Sequence, residues 1–268
     1  MMKSVQESQK VYAAKHLDER VRAESQSGGI FTALSDFILE ESGIVYGCVL
    51  TEDFGAAHIR ADSAELRDRM RGSKYIQSEL GDTYKNVKCD LGNGRNVLFS
   101  GTLCQNTGLH NFLVRDYAGL ICVDIICHGV TSKNVWMKYL AWQEKKVGKK
   151  VTSVDFRNKR SFGWWAHTET LTFDDGSKVN SQVFKTLFYG HMVLRPCCYE
   201  CPYKSVLHPG DITIADYWGI EKVATEFDDN KGVSLVMVNT DKGEKILGMC
   251  KERLFIKKLP LKIVCNHH

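Results

Sequence analysis

The hydrophobic and polar positions along this chain alternate between a helical period and short apolar runs. Residues 30–41 carry apolar side chains at the spacing of one helix face, which predicts a helix there. The apolar positions are Phe31, Leu34, Phe37 and Ile38. Gly43 ends the pattern, and the apolar run 44–50 predicts a buried strand directly after it.

The same order of elements returns twice. Apolar runs at 97–100 and 120–126 predict two further buried strands, and each leads into a helical pattern. Ser132 supplies an N-cap for the second of these helices. Strands that alternate with helices are typical of an α/β sheet covered by helices, so we expect that architecture for residues 23–148.

The second half of the chain has a different pattern, with more strands and fewer helices. Two strands, 167–173 and 178–183, flank the turn residues Asp174, Asp175 and Gly176 and predict a hairpin. Further strands are predicted at 151–157, 211–216, 234–238 and 254–256, with a helix over 242–251.

We therefore expect an α/β fold: a mixed sheet covered by helices, with a more β-rich C-terminal half that shares the core. The expected division is a lead-in segment 1–22, an α/β half 23–148 and a β-rich half 149–268.

Charge and hydropathy exclude several classes of protein. The 36 basic and 32 acidic side chains give a net charge of +4, too small to indicate a nucleic-acid-binding protein. No apolar run reaches the roughly 18 residues of a membrane-spanning helix. Residues 1–22 lack the apolar stretch of a secretory signal. A cytoplasmic location is expected, where cysteine clusters more often hold metal than form disulfides.

Four of the ten cysteines form a pattern that packing does not explain. Cys104 and Cys127 each stand where a predicted strand passes into a helix, so both should lie at the carboxyl edge of the sheet. Cys198 and Cys201 have the CxxC spacing of a metal-binding loop, although Cys197 competes with Cys198. Together the four predict either an iron–sulfur cluster or a structural zinc site.

The remaining cysteines are expected to pack as small hydrophobic residues. They are Cys48, Cys89, Cys122, Cys250 and Cys265.

Glycine-containing segments provide the second chemical signal. Gly28 and Gly29 follow Ser27 at the start of a predicted helix, where free backbone N–H groups suit a phosphate or the edge of a flat ring. A tight turn explains two adjacent glycines equally simply. The segment 72–78 adds the polar residues Ser73, Lys74 and Gln77. Gly101 and Thr102 directly precede Cys104, so a ligand bound there would lie close to the metal.

These segments, taken in order, resemble one protein family, the beta subunit of coenzyme F-420 hydrogenase/dehydrogenase. The similarity covers nearly the whole chain and is carried by seven motifs. They are 27–29 (SGG), 72–78 (GSKYIQS), 101–105 (GTLCQ), 127–130 (CHGV), 156–164 (FRNK followed by GW), 198–201 (CYEC) and 211–220 (DITIADYWGI).

The resemblance implies FAD in a cleft, an adjacent 4Fe–4S cluster, and electron transfer between a hydride carrier and one-electron partners. By motif, the implied cluster ligands are Cys104, Cys127, Cys198 and Cys201. The implied flavin contacts are Ser27, Gly28, Gly29, Ser73, Lys74, Gln77, Gly101 and Thr102. Lys74 is the candidate catalytic group, because positive charge near the flavin N1–C2=O edge would stabilise its reduced anion.

The chain departs from the family pattern at Leu103, commonly proline, and at Ala215, commonly glycine. Many relatives begin with a cysteine-rich ferredoxin-like module, whereas residues 1–22 contain no cysteine. We therefore expect electrons to pass to a ferredoxin-like protein or another subunit. The hydride carrier would be the deazaflavin coenzyme or another small substrate, and a homo-oligomer is compatible with the sequence. Two other classes stay open: a zinc-stabilised binding module and a cofactor-free scaffold subunit of a redox complex.

Overall fold

The structure is a computed structural model that describes residues 9–205 and 207–260. Its strands form an eight-stranded mixed sheet and a separate three-stranded sheet. The strands are β1 (Lys10–His16), β2 (Ile44–Leu50), β3 (Ala56–Ala61), β4 (Val97–Gly101), β5 (Leu120–Ile125), β6 (Val151–Asp155), β7 (Glu169–Phe173), β8 (Lys178–Ser181), β9 (Ile212–Asp216), β10 (Ser234–Val238) and β11 (Leu254–Leu259).

Helices precede, cover or follow these strands. They are α1 (Glu19–Glu24), α2 (Ile30–Glu40), α3 (Ala64–Asp68), α4 (Thr83–Gly92), α5 (Leu103–Leu113), α6 (Lys133–Val147), α7 (Lys159–Phe162), α8 (Val183–Tyr189), α9 (Pro196–Tyr199), α10 (Ile220–Val223) and α11 (Asp241–Met249). The described residues also contain two short 3₁₀ turns, Thr225–Phe227 and Lys251–Arg253.

The large sheet has the strand order β11-β1-β10-β9-β5-β4-β2-β3. Its centre is parallel, because β2 pairs with β4, β4 with β5, and β5 with β9 in that sense. The strands on both sides are antiparallel. The carboxyl ends of β4, β5 and β9 therefore lie side by side at one edge of the sheet.

The two halves of the chain share this sheet, which confirms the expected fold class. Strands β9, β10 and β11 come from the second half; β9 pairs with β5 of the α/β half, and β10 and β11 pair with β1. Strand β1, within the segment 1–22, lies between β10 and β11.

Successive side chains along a strand point to opposite faces of the sheet, so each buried strand contributes apolar residues to both faces. On one face Val45 and Leu98 pack with Leu34 of α2 and Ile246 of α11. On the other face the core consists of Ile44, Tyr46, Val97 and Phe99, with Val87 of α4 and Leu109 of α5. Helices thus cover both faces.

The three-stranded sheet, in the order β6-β7-β8, contains the predicted hairpin. Leu171 and Phe173 of β7 pack against Trp136 of α6 and Phe184 of α8. The returning strand was expected to extend to residue 183 but ends at Ser181, because the Ser181 hydroxyl accepts the Val183 N–H (3.0 Å) as α8 begins.

Among the described residues, no helix combines the length and the apolar character needed to cross a lipid bilayer.

Candidate functional site

Cys104 lies in the first turn of α5, at the carboxyl end of β4. The strand passes into the helix through Thr102, whose backbone N–H donates to Oε1 of Gln105 (2.9 Å). This contact fixes the first turn of the helix. Leu103 is buried in that turn, at the first helical position, where proline is also well accommodated. Cys104 itself is exposed.

Cys127 follows the carboxyl end of the neighbouring strand β5 and is half-buried. The register pairs Gly101 of β4 with Asp124 of β5, so the segments that carry Cys104 and Cys127 leave the sheet side by side. The parallel order of the strands therefore brings these two cysteines to one edge, as their sequence positions predicted.

The segment that carries Cys198 packs against the loop that follows Cys127. The N–H of Arg195 donates to the carbonyl of Val130 (2.9 Å), and Thr131 forms an antiparallel bridge with Leu194. A Cβ at Gly129 would lie 3.3 Å from Cβ of Cys198. Cys198 and Cys201 lie in and just after the short helix α9, and both are half-buried.

Cys104, Cys198 and Cys201 all lie close enough to Cys127 to influence it electrostatically. Burial, with contributions from the charges of these three cysteines, raises the pKa of Cys127 to about 12. Burial also raises the pKa of Cys198, as do the neighbouring Cys197 and Cys104. Bringing thiolates together without a metal is unfavourable because like charges repel, and bound iron or zinc would remove that cost.

Among residues 9–205 and 207–260, no three His, Cys, Asp or Glu side chains are arranged to hold one metal ion. The donor type of the four cysteines suits either metal centre, because thiolates are ligands of iron–sulfur clusters and of structural zinc alike.

The remaining described cysteines lie in the core, on the protein surface or beside the four candidate ligands. Cys122 and Cys250 are buried in the core, as expected, and Cys48 is half-buried. Cys89 is exposed on α4 instead of packing in the core, because it lies on the solvent face of that helix. Cys197 is exposed beside Cys198. Cys265 lies outside the described residues.

The Ser27-Gly28-Gly29 loop is held by the protein's own backbone. A Cβ at Gly28 would lie 2.3 Å from the carbonyl oxygen of Ala14, so only glycine fits there. The Gly28 N–H donates to the Ser234 hydroxyl (2.9 Å), and the Ser27 hydroxyl donates to the Val233 carbonyl (2.7 Å). The close approach of Gly28 to Ala14 of β1 and Ser234 of β10 therefore explains this glycine without a ligand.

Lys74 is held within its own loop. Its ammonium group donates to the carbonyls of Met70 (2.8 Å), Arg71 (2.8 Å) and Gly72 (3.2 Å). Burial lowers its pKa to about 8, an effect that nearby Cys48 opposes. All three N–H donors of Lys74 are thus engaged with backbone, and the group contributes charge rather than a free donor.

Backbone contacts join the other predicted segments around this edge. The Gln77 N–H donates to the Thr131 carbonyl (2.9 Å), which attaches the 72–78 segment to the loop after Cys127. Gln26 accepts the Ser73 N–H and donates to the Arg157 carbonyl, each at 3.4 Å. Hydrogen bonds therefore join the 72–78 segment to the 127–131 loop and, through the Gln26 side chain, to Arg157.

Lys159 was part of a recognised motif, but its role could not be read from the sequence. Its buried ammonium group donates to the carbonyls of Arg22 (2.5 Å), Lys231 (2.8 Å) and Ser27 (3.3 Å). Burial, with a contribution from the nearby Arg22 charge, lowers its pKa to about 8. Two segments distant in sequence, residues 22–27 and Lys231, thus meet at this one group.

An ion pair surrounded by aromatic rings lies beside these loops. Arg157 donates to Asp216 at 2.5 Å, and the indole N–H of Trp164 donates to the same carboxylate at 2.8 Å. The Trp164 ring stacks on Trp218, with centroids 4.7 Å apart and an angle of 13°. The Arg157 guanidinium lies 5.3 Å from the Trp218 ring centroid. The sequence motifs contain Trp164 and Asp216, but they gave no sign that Asp216 accepts from both Arg157 and Trp164.

Further rings continue from this ion pair to the cysteine loop. His167 lies 4.8 Å from Trp218 and 5.6 Å from Tyr189, measured between ring centroids. Tyr189 in turn lies 5.0 Å from His128, the neighbour of Cys127. A flat-ring ligand would thus find partly exposed aromatic surfaces beside the cysteines.

Two shallow surface depressions lie away from this region. One, of about 380 Å³, is lined by residues 50–54 and 152–154; the other, of about 400 Å³, lies at the end of α6 near Gly148. Neither contains a predicted site residue, so the cysteine edge is the better candidate for the functional site.

Comparisons with known proteins agree with the resemblance seen in the sequence. Residues 11–84 match the family model for the N-terminal part of the beta subunit of coenzyme F420 hydrogenase/dehydrogenase, and residues 94–262 match the family model for the C terminus of that same beta subunit. No curated protein matches the chain.

A similar fold occurs in a chain of the xenon-derivatized F420-reducing [NiFe] hydrogenase complex from Methanosarcina barkeri. The TM-score is 0.63 at 20% sequence identity, and the match covers 94% of this chain and 82% of that one. Because the family models together span most of the sequence, this chain belongs to the beta subunit family of coenzyme F420 hydrogenases and dehydrogenases, a family of redox-enzyme subunits.

Proposed function

We propose that this chain binds FAD and one 4Fe–4S cluster and transfers electrons between a small hydride carrier and a one-electron partner protein. The observation that carries this proposal is the convergence of four cysteines, from three separate segments, at the carboxyl edge of a parallel sheet. Ligands of open α/β sheets bind at that edge.

The cluster ligands in this proposal are Cys104, Cys127, Cys198 and Cys201. Cys127 lies close enough to the other three cysteines to be affected by their charges, and four thiolates are the usual ligand set of a 4Fe–4S cluster. The half-buried positions of Cys127, Cys198 and Cys201 would limit the access of water and oxygen to the metal. Cys104 faces outward, which would leave one side of the site open toward a partner.

The proposed flavin site adjoins the cysteines, where the 27–29, 72–78 and 156–159 segments meet the aromatic rings. Trp218, Tyr189 and His128 offer surfaces for a flat ring. Lys74 supplies positive charge near this region, whereas the charge of Arg157 is balanced by Asp216. Since the donors of Lys74 are engaged with carbonyls, its proposed role is electrostatic stabilisation of an anion.

A flavin exchanges two electrons at once as hydride, and it also exchanges electrons one at a time. An iron–sulfur cluster accepts one electron at a time. These cofactors carry out the redox chemistry themselves. The chain's residues hold the two sites at a fixed separation and shield them from water. The F420-reducing hydrogenase complex with a similar fold suggests the deazaflavin coenzyme as the hydride carrier and another subunit as the electron partner.

Purification without oxygen tests the proposal directly. Iron, acid-labile sulfide, zinc and flavin are measured on the same sample. We expect about four irons per chain, matching sulfide, and bound flavin. Zinc with neither iron nor flavin would instead indicate the zinc-stabilised module. A folded protein without any of these would indicate the cofactor-free scaffold.

Single cysteine variants test the ligand set. Cys198→Ser and Cys201→Ser are expected to lose most of the iron, whereas Cys89→Ser keeps it, because Cys89 lies on α4, outside the three segments that carry the proposed ligands. Cys197→Ser separates the two adjacent candidates and is expected to retain iron. Equal iron in all four variants would contradict the assignment.

A further inference from the structure

A continuous chain of hydrogen bonds connects a buried histidine to Cys104. The ring Nε2 of His58 lies 3.0 Å from the Ser100 carbonyl oxygen, and Nδ1 lies 3.0 Å from the Ser78 hydroxyl. Nε2 of Gln105 donates to that hydroxyl at 2.8 Å. The chain links β3, the 72–78 segment, β4 and the first turn of α5.

The chain ends at the hydroxyl of Thr102. This oxygen lies 3.1 Å from Oε1 of Gln105 and 3.1 Å from Sγ of Cys104. The backbone N–H of Thr102 also donates to Oε1 of Gln105 (2.9 Å). Thr102 is therefore placed by two contacts to one amide group, and its hydroxyl lies within reach of the thiol.

The direction of each hydrogen bond follows from the His58 end. The Ser100 carbonyl can only accept, so Nε2 of His58 carries the proton and Nδ1 accepts from Ser78. Burial, with a contribution from the Lys74 charge, lowers the pKa of His58 to about 4, so the ring is neutral at pH 7. Ser78 then accepts from Gln105, which turns the amide oxygen of Gln105 toward Thr102.

The hydroxyl of Thr102 has one hydrogen and two possible acceptors. Oε1 of Gln105 already accepts the Thr102 backbone N–H, so it remains satisfied when the hydroxyl turns away. A thiolate bearing negative charge is the stronger acceptor, because charge-assisted hydrogen bonds are about twice as strong as neutral ones. The hydroxyl would therefore donate to the sulfur when Cys104 is deprotonated by bound metal.

We infer that Thr102 is a positioning residue whose hydroxyl donates to the Cys104 thiolate, and that the His58–Ser78–Gln105 chain holds it in place. The inference rests on the proposed function, because it requires a cluster bound through Cys104. Hydrogen bonds to ligand sulfurs stabilise the more negative, reduced state of a cluster and raise its reduction potential. The series of hydrogen bonds that begins at His58 on β3 thus contributes to the reduction potential of the cluster.

A purely structural role for Thr102 makes a different prediction. As the N-cap of α5 it would affect stability, but it would leave the potential of a bound cluster unchanged. The two roles separate in the variants Thr102→Val, which removes the hydroxyl with little change in shape, and Thr102→Ser, which keeps it.

The experiment is a redox titration of the anaerobically purified protein, followed by electron paramagnetic resonance, with iron measured in each sample. Thr102→Val is expected to retain its iron and shift the midpoint potential to a more negative value. Thr102→Ser is expected to keep the original potential. Ser78→Ala, which removes the acceptor for Gln105, is expected to shift the potential in the same direction by a smaller amount.

An unchanged potential in an iron-loaded Thr102→Val protein would overturn the inference, as would an equal shift in Thr102→Ser. If the valine variant does not retain iron, Thr102→Ala is titrated in its place, with the same expectation. The absence of a cluster from the unmodified protein would instead contradict the proposed function.

Discussion

The buried carboxylate of Asp124 lies 3.1 Å from Nδ1 of His208, which connects β5 to the loop that follows Cys201. The same carboxylate accepts the backbone N–H of Gly210 at 2.8 Å. Asp124 lies three residues before Cys127, and His208 lies seven residues after Cys201. The contact therefore connects strand β5, which leads to Cys127, with the segment that carries Cys198 and Cys201.

Replacing this carboxylate should loosen both segments. Asp124→Ala removes an acceptor that serves two buried donors, and we expect a loss of about 2–4 kcal/mol in the free energy of unfolding. Urea denaturation measures it, and iron per chain should fall in the same variant. Asp116→Ala, at an exposed position on the loop before β5, is the matched control. Equal stability of the two variants would show that the Asp124 contacts contribute nothing.

The hydrogen bonds donated by the Lys159 ammonium group should contribute substantially to the stability of the fold. Lys159→Met keeps the length of the side chain but leaves the Arg22, Ser27 and Lys231 carbonyls without this donor. We expect a destabilisation of about 2–4 kcal/mol by urea denaturation, because buried acceptors lose their partner. The exposed Lys178→Met should change stability by less than about 0.5 kcal/mol.

Alanine substitution should have opposite effects on stability at Gly28 and at Gly248. Gly28→Ala would place Cβ 2.3 Å from a carbonyl oxygen, so the β1–α2 contact must shift and stability should fall by more than about 2 kcal/mol. Gly248 lies in α11 with nothing near its missing Cβ, so Gly248→Ala should gain about 0.5–1 kcal/mol. Thermal unfolding compares the two. A tolerated alanine at position 28 would contradict the close packing described for that loop.

The stability of the protein should fall in mild acid partly because of His58. Its pKa is lowered to about 4 by burial and by the charge of Lys74, while the unfolded chain keeps the ordinary value of 6.5. Between these values the unfolded state binds a proton that the folded state does not, so stability decreases as pH falls through 6.5. His58 alone should contribute a loss of about 2 kcal/mol between pH 7 and pH 5.

Urea denaturation at the two pH values measures this loss in the unmodified protein and in His58→Gln. The variant should lose less stability on acidification, because glutamine does not titrate. Other histidines with lowered pKa, including His16 and His167, contribute equally to both proteins. An identical loss in both would show that His58 titrates normally.

Local pattern predicted many of the larger elements correctly. The helical period before Gly43 gave α2 to within one residue, and the apolar runs gave β2, β4 and β5. Strand β1 was not recognised, because its half-polar sequence indicates a strand only once β10 and β11 lie on either side of it. Strand β3 and helix α4 were missed as well.

By itself, the sequence determined the alternation of strands and helices, the family, and the cysteine types and spacings that indicate a metal site. Those features are local, since periodicity and motif are written in consecutive residues. Only the tertiary structure decided that Lys159 joins three segments and that Ser78 and His58 support Thr102. Such contacts join residues far apart in the chain, so they are fixed by how the sheet and its loops pack, and no local pattern encodes them.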